Sequence, residues 1–272
     1  MKEIALVYMV AGISSRFGGK IKAFAQIGPN NETLIEYSLN QALPAGFTKI
    51  IFIVGKQTEK PFREKFEDNY KGIPVFYALQ QYNSELRDKP WGTGDAICSA
   101  SEFIKEPFVV ANGDDIYGKK TFEILMNHLK TSEEDATVVK KLIEMIPLEG
   151  AVSRGIFKIN KNNYVINSEE IQGIERKNFI ERGFSEEIPT SIGIFGFHPK
   201  ILILLKEKLK DFKEKNKGDR KIEFYLNVKI AELIKEGKTK MKLYYTPEEW
   251  IGITNPEDEF IVKEKLKDIS KN

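Results

Sequence analysis

The stretch "MVAGISSRFGGKIKAFAQIG", from Met9, ends an apolar run in a glycine- and serine-rich loop and passes one arginine and two lysines through it. Backbone N–H groups and cations gathered at the end of a strand suit a bound phosphate. Arg16 offers a planar fork and Lys22 a movable point charge. A second chemical feature is "NGDD", where Asp114 and Asp115 follow another apolar run. Hard Mg²⁺ takes one or two carboxylates together with phosphate oxygens, so this pair is a candidate ligand set, with Asp114 favoured and Asp115 as ligand or support. An Asp pair could also cap the next helix. Polyphosphate held by the first loop and a divalent cation held by the second point to chemistry on phosphoryl groups.

The loop fits neither of two familiar phosphate-binding patterns. A Walker loop needs glycine where Ser14 stands, five before Gly19, and Ser or Thr where Ile21 follows Lys20. A dinucleotide fingerprint needs glycine two after Gly12, where Ser14 again stands. What remains is a loop whose amides, from Ala11 through Gly12 and Ser14, cradle a polyphosphate.

The elements that must position these residues alternate. "IALVYMV", "TKIIFIVG", "IPVFYAL" and "PFVVANG" are short, nearly continuous apolar runs, as expected of strands buried on both faces of a parallel sheet. Between them "ETLIEYSLNQAL", capped by Asn30 or Asn31, "TEKPFREKFEDNY" and "GTGDAICSASEFI" have helical spacing. Alternation of this kind predicts an α/β fold, a doubly wound and mostly parallel sheet. Ligands of such sheets bind at the carboxyl ends of the strands, where the loop from Ala11 to Lys22, Gln80 and "NGDD" all fall. From about residue 136 to 198 strand-like segments dominate, with "NKNN" as a hairpin turn, and this β-rich extension is expected to carry a second ligand. Two helices are expected from "KILILLKEKLKDFKEKN" and "IEFYLNVKIAELIKEG", then a strand in "KMKLYYT" and a last helix opened by Pro256. The expected organisation is one domain over 1–272, with halves at 1–135 and 136–272.

Composition narrows the partners. The 272 residues carry 42 Lys plus Arg against 40 Asp plus Glu, a formal charge of +2. That balance supplies no whole-molecule field for nucleic acid or an anionic membrane, so neither is expected as a partner. The apolar run near the N-terminus leads into the glycine loop with no cleavage pattern, and no stretch reaches the ~20 apolar residues of a membrane span. Cys98 is the lone cysteine, which excludes a disulfide framework, fits a reducing cytoplasm, and is expected to be unreactive. His128 and His198 lie outside the polar loops and are expected to be structural.

The chain resembles the sugar-1-phosphate nucleotidylyltransferases. In that family a glycine-rich loop carries an Arg and then a Lys before a short "(V/I)G" segment and a helix opening "LIEY"; here these read Gly12, Arg16, Lys22, "QIG" and "TLIEYSL". It is most similar to a subgroup with "SRFGG", "GPNGETL", "KPWGT" and "ADDYYG", against "SRFGG", "GPNNETL", "KPWGT" and "GDDIYG" here. The resemblance implies a Rossmann-like, GT-A-like fold and Mg²⁺-dependent, in-line transfer of a nucleotide from a nucleoside triphosphate to a sugar 1-phosphate, with release of pyrophosphate. It implies that Arg16 binds the β- and γ-phosphates, Lys22 neutralises the α-phosphate and Asp114 binds the metal. Gln80 and Gly92, with Thr93 beside it, would meet a pyrimidine base and its nucleotide, uridine or thymidine before cytidine. It makes 1–135 the nucleotide-binding half and 136–272 the acceptor-binding half, where it implies Gly155 and Glu169, with Lys221 as a candidate for the acceptor phosphate. The nucleophile is already anionic, because a phosphate monoester has its second pKa near 6, so no general base is needed. Relatives often carry an aspartate two residues after the late tryptophan, whereas Trp250 is followed by Ile251 and Gly252. That difference favours one alternative, a regulatory pseudoenzyme that binds nucleotide sugars; a transferase with a non-sugar acceptor such as choline phosphate is a second.

Overall fold

The computed structural model describes residues 2–12, 21–253 and 258–269, with the side chains of 268 and 269 excepted. In chain order its elements are β1 (Ala5–Met9), α1 (Leu34–Ala42), β2 (Lys49–Val54), α2 (Glu59–Phe66), β3 (Asn69–Tyr70), β4 (Ile73–Leu79) and α3 (Thr93–Ser99). There follow β5 (Phe108–Asn112), β6 (Asp115–Ile116), α4 (Lys119–Thr131), β7 (Asp135–Lys141), α5 (Leu142–Met145), β8 (Val152–Ile159), β9 (Val165–Ile174) and β10 (Pro189–Phe197). The chain continues with α6 (Lys200–Lys215), α7 (Leu226–Lys235), β11 (Met241–Tyr245), β12 (Ile251–Gly252) and α8 (Asp258–Ile269).

Ten strands form one sheet whose main path runs β11-β7-β10-β5-β1-β2-β4-β3, with β8 joined to β10 and β9. The pairs β1/β2, β1/β5, β2/β4 and β11/β7 are parallel, while β10 runs antiparallel between β5 and β7. The expected α/β, mostly parallel sheet is therefore present. Its apolar runs are continuous because both faces are covered. Leu6 and Tyr8 of β1 join Phe52, Phe62 and Phe122 in one core, and Ala5 and Val7 join Ile53, Val110 and Phe224 in the other. Burying a side chain of this size stabilises by roughly 1.5–3 kcal/mol, so these alternating residues fix which way each strand faces.

Strand order reverses at β1, whose neighbours β2 and β5 lie on opposite sides. The chain leaves β1 at Met9 and β5 at Asn112, and the Gly113 N–H donates to the Met9 carbonyl oxygen at 3.0 Å. The first loop and the acidic pair therefore start side by side, at the switch point where open sheets bind ligands.

Two local expectations are corrected. The cap of α1 is Thr33 rather than Asn30 or Asn31: its N–H and hydroxyl donate to Glu36 Oε2 at 2.9 and 2.6 Å. Helix α7 begins at Leu226, and "IEFY" before it is extended, because Phe224 N–H donates to Trp91 O at 2.6 Å and Phe224 O accepts from Gly94 N–H at 3.0 Å. The last helix is described from Asp258, and Pro256, expected to open it, lies outside the described residues. The hairpin at "NKNN" does join β8 to β9, with Asn163 at a φ of 58°.

Candidate active site

Two clefts open along the carboxyl ends of the central strands. The first, of about 390 Å³, is lined by Ala11, Gly12, Lys22, Gln80, Gly92 and Thr93 among others. The second, of about 560 Å³, is lined by Arg154, Gly155, Glu170, Tyr225, Asn227 and Trp250 among others. Met9, Lys22, Thr93, Asn112 and Asp114 line both, so the clefts meet across a wall that carries one lysine and one carboxylate. Lys22 Nζ donates to Asp114 Oδ2 at 2.8 Å. Lys22 opens a turn of 3-10 helix over Lys22–Phe24, anchored by buried Ala23, which holds its stem against the sheet. Ser14 and Arg16 lie outside the described residues.

Gly92 enters the first cleft at a φ of 100°, a conformation open to glycine and strained for any other residue. An extended clasp holds it there. The buried Arg87 guanidinium stacks on Trp91, 3.5 Å from the ring centre, and donates to Asp219 O and Ile222 O at 2.7 and 2.6 Å. Arg220 donates to Asp88 Oδ1 at 2.8 Å. The "KPWGT" and "EFYL" segments thus form one clasp, in which Thr93 Oγ1 accepts the Leu226 N–H at 3.1 Å.

Asp115 sits behind Asp114 and is buried. Its Oδ2 accepts from Asn112 Nδ2 at 2.9 Å and Tyr117 OH at 3.3 Å. Burial, and then the neighbouring Asp114 charge, pushes its carboxyl well above the ordinary carboxylate range. Asp115 pairs with Gly252 across β6 and β12, and a Cβ at Gly252 would stand 3.1 Å from Asp115 Oδ1 and 2.5 Å from the Trp250 ring. No larger residue fits at 252 while Trp250 keeps this position. The carboxylate on that side of the cleft comes from Asp115. No group of three or more His, Cys, Asp or Glu side chains able to hold a metal occurs among the described residues. Two neighbouring carboxyl groups at the edge of a cleft would still suit an ion that draws its remaining ligands from a bound ligand and water.

Of the residues expected to meet an acceptor, Gly155 lines the second cleft, and a Cβ there would stand 2.5 Å from Asn227 Nδ2. Glu169 does not line it. It is exposed beside Lys158 and Asn167, and Glu170 takes the inward position, accepting from Asn227 Nδ2 at 3.2 Å. Burial raises the Glu170 carboxyl. The reason for the exchange is a bulge. Lys158 pairs with Asn167 but Ile159 with Val165, so the inner face of β9 passes to Ser168 and Glu170. Lys221 is exposed and lines neither cleft; its N–H donates to Asp219 Oδ1 at 2.8 Å, within the clasp. Besides Lys22, the second cleft is reached by Arg154, which the sequence marked only through "SRG". Its Nε donates to Met145 O at 3.1 Å, and its guanidinium lies 5.4 Å from the Trp250 ring centre. Lys89 lines the first cleft, paired with Glu223.

Neither histidine lines either cleft. His128 bonds Tyr244 OH and Glu134 O at 3.0 and 2.8 Å. Cys98 is buried, and burial pushes its thiol up to about 12, which leaves it without thiolate character near neutrality. Among the described residues no helix is long and apolar enough to cross a membrane.

A doubly wound sheet with a lysine and a carboxylate at its switch point and a second cleft beside it suits an enzyme that acts on nucleotides. The sequence profile of the nucleotidyl transferase family matches residues 22–237, and the chain belongs to that family. The chain is 26% identical over 229 residues to the UTP–glucose-1-phosphate uridylyltransferase of Bacillus subtilis, covering 76% of this chain and 75% of that protein. It is 25% identical over 166 residues to the D-glycero-α-D-manno-heptose 1-phosphate guanylyltransferase of Campylobacter jejuni, covering 60% and 67%. Its fold matches a UDP-glucose pyrophosphorylase solved with UDP-glucose at a TM-score of 0.68 and 15% identity, over 99% of this chain and 100% of that one.

Proposed function

We propose that the chain joins a nucleoside triphosphate, UTP or dTTP, to a sugar 1-phosphate, giving a nucleoside-diphosphate sugar and pyrophosphate. The observation that carries this reading is the shared wall: Lys22 and Asp114 stand where the two clefts meet, as required of groups flanking an α-phosphorus between donor and acceptor. The nucleotide occupies the first cleft, with the loop from Ala11 through Ser14 on the phosphates and Gln80 and Gly92 at the base. An oxygen of the acceptor phosphate attacks the α-phosphorus, and the bond to the β-phosphate breaks in line. Pyrophosphate carries off the electron pair, and no proton need be removed from the nucleophile. Lys22 turns from Asp114 toward the α-phosphate, where its charge offsets the negative charge growing on the equatorial oxygens, while Arg16 holds the departing pyrophosphate. Asp114, supported by Asp115, would hold Mg²⁺, which would supply further charge neutralisation.

In the second cleft Gly155 leaves room for the sugar, Glu170 and Asn227 meet its hydroxyls, and Arg154 receives the acceptor phosphate. A lone buried thiol suits a cytoplasmic setting. The test is pyrophosphate release with Mg²⁺, crossing UTP, dTTP, CTP, ATP and GTP against several sugar 1-phosphates and choline phosphate, with glucose 6-phosphate as control. Release that requires both UTP or dTTP and a sugar 1-phosphate supports the reading. Silence for every pair, or activity confined to choline phosphate, overturns it.

A further inference from the structure

The wall of the first cleft holds a buried relay that the phosphate chemistry does not use. Gln80 follows β4 and is 7% exposed. Its Nε2 donates to Asp95 Oδ2 at 2.8 Å and to the Gly92 carbonyl oxygen at 3.2 Å. Asp95, on α3 and 6% exposed, accepts through its other oxygen from Lys213 Nζ of α6 at 2.5 Å. Both partners of the Gln80 amide are acceptors, a carboxylate paired to a lysine and a backbone carbonyl. The amide therefore sits one way round, with its NH₂ toward α3. Turning it over would set Oε1 against two acceptor oxygens and leave Nε2 unpaired, a costly exchange at a buried site. Gln80 lines the cleft, and no donor among the described residues bonds its Oε1. A ligand at this wall thus meets an acceptor with the opposite orientation locked out.

We infer that Asp95 and Lys213 are positioning residues that set base preference, by holding Gln80 as a fixed acceptor for a base with a ring N–H at its pairing edge. Uracil and thymine carry N3–H there, and guanine carries N1–H. Cytosine and adenine present a bare ring nitrogen, whose lone pair would face Oε1. The inference rests on the nucleotidyl transfer proposed above and deepens it from a nucleotide to a class of base. A glutamine free to turn would serve either edge. The discrimination comes from the carboxylate behind it.

The test compares kcat/KM for UTP and CTP with one sugar 1-phosphate, in the wild type and in Asp95→Asn, Asp95→Leu and Lys213→Gln. Releasing the amide should lower the UTP-to-CTP ratio by about 10-fold or more in the Asp95 variants and less in Lys213→Gln. The same substitutions made with Gln80→Leu should leave the ratio where Gln80→Leu alone puts it, because they act through Gln80. A merely structural role would instead lower both nucleotides together. Lys213 is partly exposed, so its variant carries the test if the Asp95 variants do not fold. An unchanged ratio in any folded Asp95 variant, or in Lys213→Gln if no Asp95 variant folds, overturns the inference, as does a wild type that prefers CTP or ATP. A wild type inactive with every nucleotide and acceptor overturns the transfer reading itself, and is distinguishable because the ratio is never reached.

Discussion

Replacing Arg154 by Met tests the acceptor side of the account. Methionine keeps an apolar stem to cover Trp250 and removes the charge. Arg154 uses Nε on Met145 O and Nη1 on Ser153 O, both at 3.1 Å, which spends two of five N–H donors and leaves three. An acceptor phosphate bound to those three makes charge-assisted hydrogen bonds, worth about 1.5–3 kcal/mol to stability or binding. At 1.36 kcal/mol per tenfold, their loss should lower kcat/KM for the sugar 1-phosphate by roughly 10- to 150-fold. The effect should appear in the acceptor KM. Arg154 does not line the first cleft, so the KM for the nucleotide should stay within about twofold, and Arg154→Lys should recover part of the loss without the planar fork. The assay is steady-state pyrophosphate release, varying each substrate with the other saturating. An unchanged acceptor KM in Arg154→Met, or an equal rise in both, would refute the assignment.

Removing one charge at the junction should act on turnover instead. Arg16→Ala, Lys22→Met and Asp114→Asn should each lower kcat at least ~100-fold, the scale for one transition-state charge stabiliser, and near-full activity in any of them removes that residue from the mechanism. Away from the clefts, burial pushes the Asp135 carboxyl up to about 6, against hydrogen bonds from Thr239 Oγ1 and the His198 N–H. The folded chain then binds this proton more tightly than the unfolded one, so stability present below about pH 4 is lost as pH rises to about 6, by up to roughly 3 kcal/mol. Thermal melts across that window should show a decline that Asp135→Asn flattens, and an unchanged slope in the variant would contradict the assignment to Asp135.

The parallel sheet and the rim at its carboxyl ends were legible because their signal is local and strong. Strands covered on both faces read as apolar runs, and Lys22, Gln80, Gly92 and Asp114 stand at their carboxyl ends. The second cleft was less legible because its residues are set by register. From buried Val165, counting by two lands on Glu169, and only the bulge opposite Lys158 and Ile159 turns Glu170 inward. Lys221 was a fair candidate by charge, but the clasp that holds Gly92 engages its neighbours Asp219, Arg220 and Ile222. Asp95 read as one more residue in the first turn of α3. Its partners Gln80 and Lys213 lie 15 and 118 residues away, and no short-range pattern joins them.

The most direct measurement is phosphorus NMR of the purified chain with UTP, glucose 1-phosphate or another sugar 1-phosphate, and Mg²⁺. Nucleotidyl transfer predicts loss of the triphosphate and monoester signals together, replaced by a diphosphodiester and pyrophosphate in equal amounts, with no reaction when the acceptor is left out. Inorganic phosphate or nucleoside monophosphate formed without acceptor, or intact substrates with every sugar 1-phosphate offered, would contradict it.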